Sequence, residues 1–595
     1  MRRFAAASLA ALAWFVAPAP GREEADQPRG EWLGSASCAE CHPEIFERWK
    51  ATTHARSIRP FSPEVVARPF QGEIFAARGS SQRVGPGPSM EVEGPGGGAR
   101  RFPVDWVIGV RRVQMFTTRM EGGRIQVLPV FLEVPARKWF DYADFIFGGP
   151  SKLEIPPDSP NSWYHLARNF NSRCGECHMT GYEVGYDPDR GTYDTRWREI
   201  NTSCESCHGP GAAHAAKWRR KDKGRDDPIL NPARLSVERA NQVCGYCHSE
   251  RAEVMPGFRP GQDLHAFVDV NGLEDGKHLH PDGRARELIH NLVPAMESRC
   301  GPISCTKCHD PHGRGAFGDL HRPSQDDATC TKCHEGIGKD LEAHTHHAAA
   351  SDGSRCVNCH MPPLVIEGGH GRVRDHTISI PSPENTDRHG TPNACRACHL
   401  DKEPGWEQEP FQLWYPGAEG RNHRVRVATA VAGGRAGDLR SREPLLDLLK
   451  DPNPVYRAGA AWMLSRYEVD LRPQLQDPHP MVRRAAIRGV GARHPEALEA
   501  LLDDPSHVLR RAAAGELAER YEHVRARPEL RDRLVGILQE FASRRPDDAR
   551  AHFAIGALHA LAGRTDASRR SYLRYLTLIP WDERVRREVP GTSGK

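Results

Sequence analysis

Cys305-Thr-Lys-Cys-His309, Cys330-Thr-Lys-Cys-His334 and Cys356-Val-Asn-Cys-His360 repeat one five-residue pattern. The spacing has a chemical reason. Two cysteines three apart lie on one side of a helical turn, where both sulfurs can add to the two vinyl groups of one porphyrin. The histidine directly after them brings an imidazole to the iron as proximal ligand. Five more copies occur: Cys38/Cys41/His42, Cys174/Cys177/His178, Cys204/Cys207/His208, Cys244/Cys247/His248 and Cys395/Cys398/His399. A lone C-x-x-C would fit a zinc knuckle or a redox dithiol, but eight copies each followed by histidine predict eight covalently attached c-type haems.

The rest of the composition agrees. Sixteen of the 17 cysteines fall in the eight motifs, leaving Cys300, which reads as a buried free thiol. A disulfide framework would not distribute its cysteines this way, and structural zinc sites do not need the trailing histidine every time. Formal charge is +4 over 595 residues. Eight haems would add roughly sixteen propionates and leave the loaded protein acidic, so the basic balance is no evidence for nucleic-acid binding, and no basic motif interleaved with aromatics supports it.

Residues 1–20 read as a signal peptide: Arg2 and Arg3, an apolar run from Phe4 to Ala17, then Ala17-Pro18-Ala19 in the small-x-small form of a cleavage site. The run is shorter than the roughly 20 residues a membrane-spanning helix needs. The expectation is a soluble periplasmic or otherwise exported protein with no membrane span in the mature chain. Residues 21–60 form a first haem-binding segment, with a helix beginning at Pro43. Residues 61–150 carry no haem motif. A Gly/Pro-rich loop from Gly85 to Gly98 precedes strands over 104–110, 113–119 and 124–132, with Glu121-Gly122-Gly123 as a hairpin turn. They predict a small antiparallel β insertion.

Residues 151–405 hold seven motifs, whose first cysteines follow at steps of 30, 40, 61, 25, 26 and 39. Apolar periodicity is weak there, as expected where porphyrin faces replace side chains as the core. Residues 406–420 read as a linker. Beyond it, Asp451-Pro-Asn-Pro, Asp477-Pro-His-Pro and Asp504-Pro-Ser-His recur, each followed by an Arg/Ala-rich helix start, with Asp as cap and Pro in the first turn. This predicts HEAT-like helical repeats over 421–530 and a tetratricopeptide-like helical segment over 531–595. The fold class is therefore mainly α: a haem-organised core of short helices and loops, a small β insertion and a C-terminal α-solenoid. The solenoid reads as a docking surface for protein partners.

A sixth ligand on each iron separates carrier from enzyme. Of 30 histidines, 22 are not proximal, and 15 of those precede residue 400. They are enough for bis-histidine ligation throughout. The candidate distal ligands are His54, His165, His214, His280, His312, His347 and His376. His54 follows His42 by twelve residues, too far along a helix rising about 1.5 Å per residue to serve its own haem. His312 and His214 follow motifs through short turns. One ligand is expected from His344, His346 and His347, with His347 chosen. Asp375 stands beside His376, and Met255 and Met296 are alternative ligands.

Ser37-Cys-Ala-Glu-Cys-His42, Asn171-Ser-Arg-Cys-Gly-Glu-Cys-His178, Ser203-Cys-Glu-Ser-Cys-His-Gly-Pro-Gly, Ser304-Cys-Thr-Lys-Cys-His-Asp-Pro-His-Gly, Cys356-Val-Asn-Cys-His-Met-Pro and Gly390-Thr-Pro-Asn-Ala-Cys-Arg-Ala-Cys-His399 together resemble bacterial multihaem cytochromes related to cytochrome c554. That broad superfamily includes hydroxylamine oxidoreductase and octahaem reductases. The resemblance implies closely stacked bis-histidine haems acting as an electron wire between redox proteins, such as other cytochromes or a membrane quinol-oxidising complex. Its enzymatic branch implies an oxidoreductase acting on nitrite, hydroxylamine, tetrathionate or sulfite at one five-coordinate haem. The C-x-x-C-K motif of some octahaem reductases is not present in this sequence. Mass spectrometry of the exported chain should find the increment of eight covalent tetrapyrroles, and one fewer after Cys305→Ala/Cys308→Ala.

Overall fold

The computed structural model describes residues 32–589, apart from 78–79, 94–97, 147–154, 156–158, 160, 223, 225–226, 287–289, 299, 302, 314–318 and 366–371. The leader expected over 1–20 lies outside the described residues. Helices dominate, with small antiparallel sheets on the N-terminal side.

The β insertion is two sheets rather than one. The first runs in the order Ile58–Pro60, Trp106–Ile108, Val113–Arg119, Val130–Glu133, Lys138–Asp141, with Ile125–Val127 also paired to Val113–Arg119. The expected hairpin turn is there: Arg119 pairs with Ile125 and Thr117 with Val127. Gly122 and Gly123 take φ of 68° and 74°. A Cβ on Gly123 would meet the Tyr193 carbonyl oxygen at 2.0 Å, so both conformation and space require glycine. The second sheet is a meander of Gln71–Ala77, Ser80–Pro86, Ser89–Glu93 and Ala99–Pro103. Its third strand, Ser89–Glu93, lies in the stretch read as a loop, Gly85 to Gly98. The density of Gly and Pro hid a period of two, in which Met90 and Val92 are buried and Glu91 between them is half-buried. Val84, Met90, Val92, Val107, Phe116, Leu128 and Leu132 close one core between the sheets.

From residue 161 to 400 the chain is short helices, turns and two-stranded ladders. Between residues 300 and 400, which hold four motifs, the buried apolar side chains among the described residues are Leu364, Val373 and Ala394. Three such side chains cannot hold about a hundred residues together. Cys300 is exposed, not buried: it sits in a turn beside Gly301, whose φ is 71°.

The segment read as a linker contains a helix, Gln408–Trp414, and the next helix, Glu419–Ala436, begins before residue 421. The three Asp-Pro repeats start the helices Pro454–Leu464, Pro480–Arg493 and His507–Ala518. The cap, however, falls two residues after each aspartate. Asn453, His479 and Ser506 accept the helix N–H bonds, while Asp451, Asp477 and Asp504 each accept from the backbone N–H of that capping residue at 2.8 Å. The aspartate makes an Asx turn that aims the cap. Helices Ala549–Leu561 and Thr565–Leu578 then form an antiparallel pair in which Ser568 Oγ donates to the Gly556 carbonyl.

The repeats are fused to the motif-bearing part. One core runs from Leu264, Val268, Leu273, Leu292, Leu364 and Val373 straight into Val427, Val431, Tyr456, Val482 and Leu509. Arg435 donates to the carbonyls of Leu273 and Leu279, and Arg484 pairs with Asp269 at 2.8 Å. A Cβ on Gly459 would lie 2.8 Å from Leu273 Cβ. Gly459→Val should therefore lower stability by about 1–3 kcal/mol in chemical denaturation, the usual range for overpacking.

Candidate multihaem centre

Each C-x-x-C-H folds into a single helical turn, which puts its two sulfurs on one side. The histidine N–H bonds to the carbonyl of the first cysteine at 2.9 Å in His42, His248 and His399, 3.0 Å in His309, and 3.1 Å in His178 and His334. Cys204–His208 and Cys356–His360 are short helices.

Six of the eight motif histidines face a second imidazole. Ring centroids are 6.5 Å apart for His42 and His214, 6.3 Å for His54 and His248, and 6.1 Å for His208 and His312. They are 6.2 Å apart for His309 and His376, 6.2 Å for His344 and His360, and 6.1 Å for His347 and His399. Imidazole–metal bonds of about 2 Å on both sides would put two axial ring centres roughly 6.3 Å apart. Direct aromatic contacts span about 4.5–7 Å, so it is the recurrence of one spacing in six separate pairs that marks the arrangement. The second imidazole always comes from a segment that follows a different motif.

Several of these rings are anchored through Nδ1, which leaves Nε2 to face the centre. Nδ1 contacts the carbonyl of Leu230 in His208 (2.8 Å), Ser379 in His360 (2.9 Å), Arg374 in His376 (2.8 Å) and Thr345 in His347 (2.6 Å). In His214 it contacts the Asp227 carboxylate at 2.6 Å. Asp375 does not orient its neighbour His376; its carboxylate accepts from the Thr377 N–H and hydroxyl.

Two candidates are placed elsewhere. His165 packs edge-on against Trp581 at 4.5 Å, and burial together with Arg124 and Arg168 lowers its pKa to about 4. His280 is held in a buried turn in which its N–H donates to the Arg284 carbonyl and its carbonyl accepts from the Gly283 N–H, with no imidazole facing it among the described ring contacts. One ring was expected from His344, His346 and His347, but His344 as well as His347 faces a motif histidine. His346 between them has φ of 55°, and this left-handed residue sends His344 and His347 toward different motifs while its own ring stacks on Trp414 at 4.3 Å. The only sequence signal was two histidines three apart.

Comparison with known proteins now bears on this geometry. Residues 37–70 and 161–209 match the family described as cytochrome c554 and c-prime, and residues 468–536 match HEAT repeats. In those stretches the chain resembles multihaem c-type cytochromes related to cytochrome c554. It is also 26% identical over 197 residues to multiheme cytochrome MtrA of Shewanella baltica (strain OS185). That match covers 29% of this chain and 56% of the relative, so the chain spans little more than half of that relative's length. The crystal structure of outer cell wall cytochrome OcwA aligns with a TM-score of 0.45 at 16% identity, covering 82% of this chain and 99% of that one.

Within the chain, motifs are clamped in pairs by one recurring contact. The residue three before a first cysteine accepts the backbone N–H of another motif's first cysteine. Ser35 Oγ takes Cys204 N–H at 3.3 Å, Asn241 Oδ1 takes Cys305 N–H at 2.9 Å, and Asp327 Oδ1 takes Cys356 N–H at 2.9 Å. The sulfurs of the same pairs, Cys38 with Cys204, Cys244 with Cys305 and Cys330 with Cys356, lie close together. Cys177 lies close to Cys247 in the same way. Cys207 lies near Cys244 and Cys247, Cys308 near Cys330, and Cys359 near Cys395 and Cys398. The motifs thus form a connected row.

A cavity of about 3100 Å³ runs among the motifs that begin at Cys174, Cys204, Cys244 and Cys305. Ordinary small-molecule pockets hold about 300–1,000 Å³, so this one has room for several large groups. Six ring pairs at axial spacing, anchored Nδ1 atoms, facing sulfurs and this volume all fit covalently bound haem. His54, His178, His248, His309 and His376 line the cavity, as does Met296. Met255 is buried.

Beside this cavity Arg545, from the repeats, bonds Glu176 at 3.0 Å, Asp547 at 3.0 Å and Glu253, while Arg251 pairs with Glu176 at 3.3 Å. Burial, with Glu253 alongside, pushes the Glu176 carboxyl up to about 8. Removing the shared cation leaves these acids buried without it, so Arg545→Met should cost about 3–5 kcal/mol in equilibrium unfolding.

Proposed function

We propose that the chain is an exported, periplasmic octahaem electron carrier. Cys38, Cys41, Cys174, Cys177, Cys204, Cys207, Cys244, Cys247, Cys305, Cys308, Cys330, Cys333, Cys356, Cys359, Cys395 and Cys398 would hold the haems, with His42, His178, His208, His248, His309, His334, His360 and His399 as proximal ligands. Bound haem supplies a one-electron iron couple. The chain's own residues set which irons are neighbours and what closes their axial positions. His214, His54, His312, His376, His344 and His347 would close the irons of His42, His248, His208, His309, His360 and His399. The single observation that carries this reading is these six facing pairs at 6.1–6.5 Å.

The sulfur contacts support an order for the route. It would run from the Cys38 motif through those of Cys204, Cys244, Cys305, Cys330, Cys356 and Cys395, with the Cys174 motif as a branch beside that of Cys244. Donors and acceptors would be redox proteins, other cytochromes or a membrane quinol-oxidising complex, docking near the ends of the row or on the repeats. Cys41 and Cys398 at those two ends are exposed, as is Cys333 within the row. Among the described residues no helix is long and apolar enough to cross a membrane.

A second reading has its own observation. No imidazole faces His178 or His334 among the described ring contacts, so an oxidoreductase acting on nitrite, hydroxylamine, tetrathionate or sulfite would work at one of those two irons. Electron paramagnetic resonance of the oxidised protein separates the readings. Six or more low-spin haems are expected, and His312→Ala and His376→Ala should each convert one of them to high spin with haem content unchanged. Unaltered spectra in both variants would refute the axial pairing. Failure of all four substrates to be turned over would leave only the carrier.

A further inference from the structure

The fold buries charged side chains where the repeats meet the motif-bearing core. Arg424, on the first repeat helix, is 1% exposed, and Asp282, Arg284 and Asp375 are equally enclosed. One edge of the Arg424 guanidinium is occupied: Nη2 donates to the Asp282 carbonyl at 2.9 Å and lies 3.4 Å from its carboxylate. Nε and Nη1 have no hydrogen-bond partner among the described residues. A buried guanidinium with two idle donors costs free energy unless an acceptor reaches it.

The geometry indicates where that acceptor comes from. Arg424 lines the large cavity together with Glu297, Tyr456 and His376. His376 is the imidazole that faces His309, and its neighbour Asp375 approaches Arg284 at 3.9 Å, which in turn lies 3.5 Å from Asp282. The Arg424 guanidinium therefore belongs to the ion cluster behind the His309/His376 pair. It lines the same cavity as Cys305, Cys308 and His309, and the sulfurs of those cysteines face other motifs. On a haem held by those cysteines, the edge opposite the thioethers carries the two propionates.

We propose that Arg424 holds a propionate of the haem bound at Cys305, Cys308 and His309, so that the first repeat helix sets the reduction potential of that haem. This rests on the multihaem reading above. A fixed cation facing a propionate favours the reduced, less positive iron, and its removal favours the oxidised one.

The test is a spectroscopic potentiometric titration of the full-length holoprotein, with haem counted first by mass. In Arg424→Gln one component should fall to lower potential by at least tenfold in its reduced-to-oxidised ratio, 59 mV for a one-electron couple. It should be the component that His376→Ala turns high spin, while the others superpose on the unmodified protein. If Arg424→Gln does not accumulate because Asp282 then lacks its cation, Asp282→Asn/Arg424→Gln is compared with Asp282→Asn alone. A lower component in the double variant supports the assignment. Coincident titrations, or a shift in a component that His376→Ala leaves unchanged, overturn it. A chain without haem would instead overturn the multihaem reading itself.

Discussion

The constraint on which this architecture depends is that opposed imidazoles are drawn from different stretches of chain. His42 faces a ring 172 residues away, and His208 one 104 residues away. Closing loops of that length is entropically unfavourable, although the penalty grows only slowly with length. Little apolar burial offsets it between residues 300 and 400. The polar clamps at Ser35, Asn241 and Asp327 bring motif backbones together, and the facing rings define a common axis between them. Secondary structure here is short because position is set by these points rather than by long helices.

The repeats take part in the same constraint. Their first helices bury Val427 and Val431 against Leu273 and Leu292, and their arginines reach carbonyls and carboxylates of the motif-bearing core. A surface already covered in this way is not available to a partner. The edges that remain exposed, such as Leu439 and Tyr521, are scattered singly.

Much of the site was legible because covalent attachment needs a contiguous signature, and five adjacent residues carry it. The remote ring partners of His42 and His208 were legible only as a list, since His214 and His312 stand out by the short turns that precede them. His165 and His280 had similar local contexts, but Trp581 and the Asp282–Arg284 cluster claimed their surroundings. No local pattern reports Trp581, several hundred residues beyond His165, whereas the turn at His280 closes on its own neighbours Gly283 and Arg284. A second ring beside His347 was not expected, because the role of His344 turns on the left-handed backbone of His346, a residue type that seldom takes that conformation. The β insertion was legible as strands where apolar residues alternate. It was misread where glycine and proline crowd the meander, although Met90 and Val92 kept the alternation. In the repeats the Asp-Pro signature located three helix starts, but the physics lay one step later, in an Asx turn that presents Asn453, His479 or Ser506.

The direction in which the rings are supplied has a consequence for biogenesis. His42, His208 and His309 face rings that lie later in the chain, whereas His248, His360 and His399 face rings that precede them. A polypeptide emerging from its N-terminus therefore completes the second set as soon as each motif appears. The first set waits for downstream sequence, up to Asp375-His376 for the motif of Cys305. Nascent chains stalled before that point would present half-finished centres, open on one side to oxidants and stray ligands.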